Sequence, residues 1–377
     1  MIYFDNAATG GQKPDTVLTA VNSAVKVCAN PGRSGHKLSL SCAMQVENCR
    51  IALDGFFDGY GFDRVVFTKN CTEALNIALL GTLQQGDHIV LSCMEHNSVL
   101  RPLEHLRKEG IITYDICLLR GEGARAYLHP KDILPLLKPN TKAVIITAAS
   151  NVTGYAPDLA AIRKILPDSV LLFCDGAQGG GHLPLKMKEL GIDLLTIAGH
   201  KGMLGIQGSG ALLFSDRLAP TSLLYGGTGS ISLSLDMPDF YPDCLEAGTL
   251  SFPAILSLLE GVRHLTLHQK EIEAKLLSLS EYLLSELSTL PDYTAFSLPN
   301  PCGIVSFRHR RVQSEYIADI LSSKYNICVR GGLHCAPLMH EALGTLDGGL
   351  VRVSFSHYNA KREIDRLIFA LSEIANS

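Results

Sequence analysis

The chain has 377 residues, which at about 150 residues per domain predicts two or three domains around a well-buried core. Hydrophobic types make up 46% of it and charged types 19%, a balance that excludes disordered, collagen-like and low-complexity polymers. With 33 basic against 37 acidic residues the net charge is −4, and no block of like charge marks a nucleic-acid-binding surface.

The opening MIYFDNAATG carries an acid and neither a basic n-region nor an apolar h-region, so the expectation is mature protein with a cytosolic address. Short apolar runs over 64–68, 88–93, 112–119, 143–149, 170–175 and 194–198 read as strands. Amphipathic stretches such as 72–83 and 99–108 lie between most of them. Strand and helix in alternation call for a mainly parallel sheet flanked by helices. None of the apolar runs approaches the roughly 20 residues that cross a bilayer. From residue 252 a long helical pattern leads into short strands over 303–308 and 327–330, a helix over 313–325 and a final helix over 360–375. The fold class expected is therefore α/β, with a large unit of residues 15–265 and a small α+β unit formed by 1–14 and 266–377. Eleven cysteines without a CxxC pair fit a reducing compartment and argue against a disulfide framework or a zinc knuckle. Most read as small core residues.

Polar residues directly after a strand face the ligand crevice in such a sheet, and four groups stand there. A lysine, Lys201, follows a histidine in the turn IAGHKG over 197–202. Upstream, the strand over 170–174 ends in Asp175, with Gln178 close behind in FCDGAQGGGH. These are the two protein groups that a pyridoxal phosphate enzyme requires. The lysine amine holds the aldehyde and moves protons, and the carboxylate keeps the pyridine nitrogen protonated so that the ring accepts carbanion charge. Third, KNCTEAL over 69–75 opens a helix whose free N–H groups and positive end suit a phosphate, with the Thr72 hydroxyl as a further donor; alone, Thr72 reads as a cap. Fourth, His96 in MEHNS is placed to stack on a flat ring; alone, it reads as a polar loop residue.

In this order the four groups resemble the class V aminotransferase family of pyridoxal phosphate enzymes, and within it the cysteine desulfurase and selenocysteine lyase type with a short cysteine loop. The likeness runs through YFDNAAT, RSGHKLS, NCTEALN, MEHNS, SNVTG, DGAQ, GHK, EAGT, RGGLHCAP and RVSFSHYN. It implies a fold type I architecture, with the cofactor pyridoxal 5'-phosphate held by the large domain. Lys201 would carry the Schiff base, Asp175 would pair with the ring nitrogen, Gln178 would donate to the ring oxygen and His96 would stack. Cys71, Thr72 and His200 would contact the phosphate, and Thr249 would reach it from the other subunit of a homodimer. Arg352 would clamp the substrate carboxylate with help from Asn151, and Arg330 and His36 join the substrate-binding set. Cys335, with His334 beside it as a catalytic partner, would take the substrate's sulfur as a persulfide. Ala198 stands where the family commonly carries serine, and Leu333 where it often carries a second histidine.

The resemblance implies L-cysteine or selenocysteine as substrate, alanine as product, no metal, and room for a sulfur-acceptor protein. Selenocysteine lyase is a close variant. A class V transaminase or β-lyase, in which Cys335 is only structural, shares the same cofactor apparatus. A non-catalytic scaffold has no need of Lys201, Asp175, His96 and Arg352 together.

Overall fold

The computed structural model describes residues 1–27, 29–32 and 34–375; Arg33, at the head of RSGHKLS, lies outside them. The chain opens with β1 (Ile2–Tyr3) and the helices α1 (Asp15–Val27) and α2 (Lys37–Phe57). The alternating region follows as β2 (Val65–Thr68), α3 (Cys71–Thr82), β3 (Asp87–Ser92), α4 (Asn97–Lys108) and β4 (Ile112–Cys117). It continues through β5 (Thr141–Thr147), α5 (Leu159–Ile165), β6 (Leu171–Asp175), α6 (Met187–Leu190), β7 (Leu194–Ala198) and β8 (Gly210–Phe214). The last third holds α7 (Phe252–Leu287), β9 (Tyr293–Ala295), β10 (Ile304–His309), α8 (Ser314–Tyr325), β11 (Ile327–Cys328), α9 (Pro337–Ala342), β12 (Val351–Ser354) and α10 (Lys361–Ala375).

Seven strands join in the order β2-β8-β7-β6-β5-β3-β4. All run parallel except β8, which pairs antiparallel with β2 on one side and β7 on the other. The strand β8 was not among the expected ones. It returns from β7 through the glycine-rich loop over 199–209 without a crossover helix, so the strand–helix alternation passes over it. Successive side chains of a strand point to opposite faces, and here both faces are buried. Val144, Ile146 and Leu172 enter one apolar core, while Ile145, Leu171 and Phe173 enter the other. This is why the strands read as continuous apolar runs instead of alternating ones.

The chain's two ends meet. β1 pairs parallel with β11, and β9, β10 and β12 make an antiparallel sheet in the order β12-β10-β9. The 36-residue α7 buries Leu258, Val262 and Leu265 near its start and Leu279, Leu283 and Leu287 near its end. It thereby ties the large sheet's helices to the C-terminal strands. Among the described residues no helix is long and apolar enough to cross a membrane.

Candidate active site

After β3 the chain steps outward to β4 and then crosses back to β5, so a switch in strand order falls between β3 and β5. Ligand crevices in open α/β sheets form at the carboxyl ends of strands at such a point. His96 follows β3, Asn151 follows β5, Asp175 ends β6, Lys201 follows β7, and the start of α3 follows β2. One cavity takes in Cys71, Thr72, His96, Asp175, Gln178 and Lys201, with Asn151 and His200 also on its wall.

Asp175 is buried, and its Oδ1 accepts from Ala177 N at 2.9 Å. The Cys71 thiol lies 3.4 Å from the same oxygen and 3.2 Å from Thr196 Oγ1. Burial and Asp175 push that thiol well above its ordinary range, so it stays neutral and turned inward. What α3 presents to the cavity is its first turn. Asn70 caps the helix by accepting from Glu73 N at 2.9 Å, while the Cys71 and Thr72 N–H groups have no protein acceptor among the described residues.

The turn that carries Lys201 is closed by Gly199 N to Ser209 O at 2.9 Å. A Cβ on Gly199 would stand 2.1 Å from Ser209 Oγ, so only glycine fits. The carbonyl of His200 takes Gly10 N at 2.8 Å and Lys13 Nζ at 3.1 Å, and the His200 ring meets Thr9 Oγ1 at 3.1 Å. Burial pushes the Lys201 amine below the usual lysine range, with Arg352 and Arg330 adding to the effect and Asp175 opposing it. Burial likewise holds His200 down at about 4, reinforced by Lys201 and Lys13. His96 is lowered to about 4, first by burial and then by the nearby cations; its Nδ1 caps α4 by accepting from Ser98 N at 3.1 Å. Gln178 Nε2 donates to Ala7 O at 3.0 Å, which leaves it one N–H for the cavity.

Cys335 belongs to an adjoining groove with Asn76, Arg101 and His105, and this groove shares Thr72, His96 and Ser98 with the cavity of Lys201. Its Sγ lies 3.8 Å from Arg330 Nη2. Arg352 is almost wholly buried; its Nη2 pairs with Asp5 Oδ1 at 2.9 Å and its Nη1 donates to Asn151 O at 3.0 Å. Arg352 Nε and Asn151 Oδ1 are buried without a partner.

Three expected residues stand elsewhere or face differently. His36 is exposed and caps α2 by accepting from Ser39 N at 3.2 Å, off the wall of the Lys201 cavity. Thr249 is exposed and lines a separate cavity with Phe67, Lys69 and Ser209. His334 spends one ring nitrogen on Arg330 O at 3.2 Å and the other on His340 at 3.4 Å. Sequence reading missed Asp5, although it sits in the quoted YFDNAAT. It also missed Glu95, a fully buried carboxyl whose Oε1 accepts from Ser92 Oγ at 2.6 Å and Thr147 N at 2.8 Å, beside His96 in the quoted MEHNS.

The residues present fit a pyridoxal phosphate. The first turn of α3, with two N–H groups free for an anion, lines the same cavity as Asp175, which keeps one oxygen for a ring nitrogen, and as Lys201, whose amine burial shifts below the usual lysine range. A family model for aminotransferase class-V matches residues 2–367. The chain belongs to the class V aminotransferase family. That family consists in general of pyridoxal phosphate enzymes. Among class V aminotransferase relatives, probable cysteine desulfurases of Methanothermobacter thermautotrophicus and Aeropyrum pernix are each 31% identical to the chain, over 99% of it and 94% of their own length. The apo structure of a cysteine desulfurase from Thermococcus onnurineus NA1 superposes with a TM-score of 0.89 at 29% identity, covering 99% of this chain and 94% of the other. The cysteine desulfurase CsdA of Escherichia coli gives 0.88 at 25% identity, with the same coverage.

Proposed function

We propose that the chain is a pyridoxal phosphate-dependent cysteine desulfurase that converts L-cysteine to L-alanine and takes the sulfur on Cys335. The observation that carries this reading is the placement of Cys335 in a groove that shares His96, Thr72 and Ser98 with the cavity of Lys201 and Asp175. The cofactor, when bound, supplies an electron sink for the substrate's carbanion. Cys71 N, Thr72 N and the Thr72 hydroxyl would hold its phosphate, Asp175 its ring nitrogen and Lys201 its aldehyde carbon. The neutral His96 imidazole would cover the ring.

In the substrate complex Arg352, its charge already fixed by Asp5, binds the carboxylate. Lys201, its affinity for a proton lowered by burial, takes the α-proton and later returns a proton. The Cys335 thiolate then attacks the substrate's sulfur. A new S–S bond forms as the substrate's Cβ–S bond breaks, the electron pair leaves with Cβ, and protonation there completes alanine. Thiol sulfur is oxidised to the sulfane level and the substrate carbon is reduced, so no outside oxidant is needed. The Arg330 guanidinium lies beside Sγ, with Nη2 3.8 Å away, where it orients the nucleophile.

Residues 15–265 would form the unit that holds the cofactor, and 1–14 with 266–377 the unit that closes the substrate end. All ten described cysteines are free, which supports a reducing, cytosolic setting. The test is to incubate the protein, loaded with pyridoxal phosphate, with L-cysteine and reductant and to assay alanine and sulfide together. Equal amounts of both are expected, and Cys335→Ala should still change its visible spectrum on adding cysteine while releasing almost no sulfide. Sulfide at the wild-type rate from Cys335→Ala would replace this reading with a β-lyase or transaminase, and turnover of selenocysteine alone with a selenocysteine lyase.

A further inference from the structure

His334 and Cys335 both have left-handed backbone, with φ of 52° and 58°. Two successive non-glycine residues there are sterically disfavoured and persist only where the surroundings over-determine them. The carbonyl side of the turn is pinned from the large sheet. Asn151 Nδ2 donates to His334 O at 2.7 Å, and Asn97 N donates to Cys335 O at 2.8 Å. The side-chain side is pinned from behind by residues to which neither the family motifs nor the reaction assigns a part.

His334, His340 and Thr345 are all buried, and their polar atoms form one chain. His334 Nε2 lies 3.2 Å from Arg330 O, His334 Nδ1 lies 3.4 Å from His340 Nε2, and His340 Nδ1 lies 2.9 Å from Thr345 Oγ1. A carbonyl only accepts, so His334 carries its hydrogen on Nε2 and accepts on Nδ1. His340 must then donate from Nε2 and accept on Nδ1, which takes the Thr345 hydroxyl hydrogen. The competing contact from that hydroxyl, to His340 O, is longer at 3.4 Å. Burial, with Arg352 against His334, keeps both rings neutral. The chain therefore has one direction, from Thr345 through His340 and His334 to the Arg330 carbonyl. No ring nitrogen is left over to carry a proton to or from the Cys335 thiol, and the expected relay through His334 gives way to a strut.

We propose that His340 and Thr345 are positioning residues for Cys335: through the His334 ring they hold the left-handed turn that presents the thiol beside Arg330. What the held thiol does rests on the desulfurase reading, but its being held does not.

The experiment compares wild type with His340→Ala, His340→Gln, Thr345→Val and Thr345→Ser in two assays on the cofactor-loaded protein. The first is the rate at which iodoacetamide alkylates Cys335 near neutral pH, followed on its own peptide by mass spectrometry. The second is sulfide release with kcat and KM separated. With the strut gone the turn no longer fixes the thiol's place and exposure beside Arg330, so His340→Ala should change the Cys335 alkylation rate at least threefold and lose kcat at least tenfold, with KM for cysteine within twofold. His340→Gln keeps an Nε donor toward His334 and should reverse most of both effects. Thr345→Val should fall between, and Thr345→Ser should recover the wild-type values. Wild-type alkylation and kcat in His340→Ala and Thr345→Val would overturn the proposal. So would losses that His340→Gln and Thr345→Ser fail to rescue, or a His340→Ala loss carried by KM, since general damage to the fold would produce those. Absence of sulfide release from wild type would sink the desulfurase reading alone, and the alkylation series would still decide whether the strut holds Cys335.

Discussion

Arg352 is the most constrained charged side chain at the site. It is 1% exposed, with Asp5 on one nitrogen, the Asn151 carbonyl on a second and no partner on Nε. A buried guanidinium with an unmet N–H is costly unless a ligand completes it, and the planar fork matches a carboxylate. Losing a charged hydrogen-bond partner costs on the order of 1.5–3 kcal/mol. Arg352→Ala should therefore raise KM for cysteine by about ten- to a hundredfold. Arg352→Lys should recover little of it, because an ammonium cannot bridge Asp5 and a substrate carboxylate together. Steady-state kinetics on both variants decide the point, and an unchanged KM would remove Arg352 from substrate binding.

Two elements carry consequences of their own. Asn70 caps α3, and Glu73 Oε2 reaches back to Lys69 N at 2.5 Å, a reciprocal arrangement close to a capping box. Asn70→Ala should cost about 1 kcal/mol of stability, read from denaturant unfolding, and should weaken pyridoxal phosphate binding because the frayed turn no longer offers its N–H groups together. Three residues after β3, Glu95 is fully buried with Oε2 unpartnered, and burial pushes its carboxyl up to about 8. Unfolded, that carboxyl loses its proton near its ordinary 4.5. Between 4.5 and 8 the folded state holds the extra proton, so this group makes stability fall as pH rises through that window. Glu95→Gln, which mimics the protonated acid, should show a flatter fall in Tm over that range. Parallel Tm–pH curves for the two proteins would refute a neutral Glu95.

At the scale of the whole molecule, the segment between β8 and α7 is conspicuous. Leu233 and Leu235 are fully exposed, and Tyr225, Ile231 and Leu224 are more than half exposed. Apolar surface clustered in this way marks an interaction face. The same segment is anchored at its far end by Glu246, which pairs with the buried Arg50 at 2.5 Å and accepts from Phe67 N at 2.6 Å. Thr249, three residues on, is exposed and lines a cavity separate from that of Lys201. A homodimer that buries this face would bring Thr249 to the partner's phosphate site. Sedimentation should give a dimer for wild type and a monomer with weakened cofactor binding for Leu233→Asp/Leu235→Asp; an active wild-type monomer would end the idea.

The parallel sheet and the residues at its strand ends were legible in the sequence. Both follow from local rules: a doubly buried strand is a short apolar run, and the residue after it faces the crevice. Hence His96, Asp175 and Lys201 fell on one wall. β8 was not legible, because a strand reached through a loop without a helix has nothing before it to mark it. Nor was Asp5 as the counterion of Arg352, 347 positions away, or His340 as the ring behind His334. The exposure of His36 and the inward turn of the Cys71 thiol were equally beyond reach. Period and punctuation along a chain record which face of an element is buried. Which side chains then meet depends on how the elements pack, and contacts between segments hundreds of residues apart leave no periodic trace, so only the tertiary structure decides them.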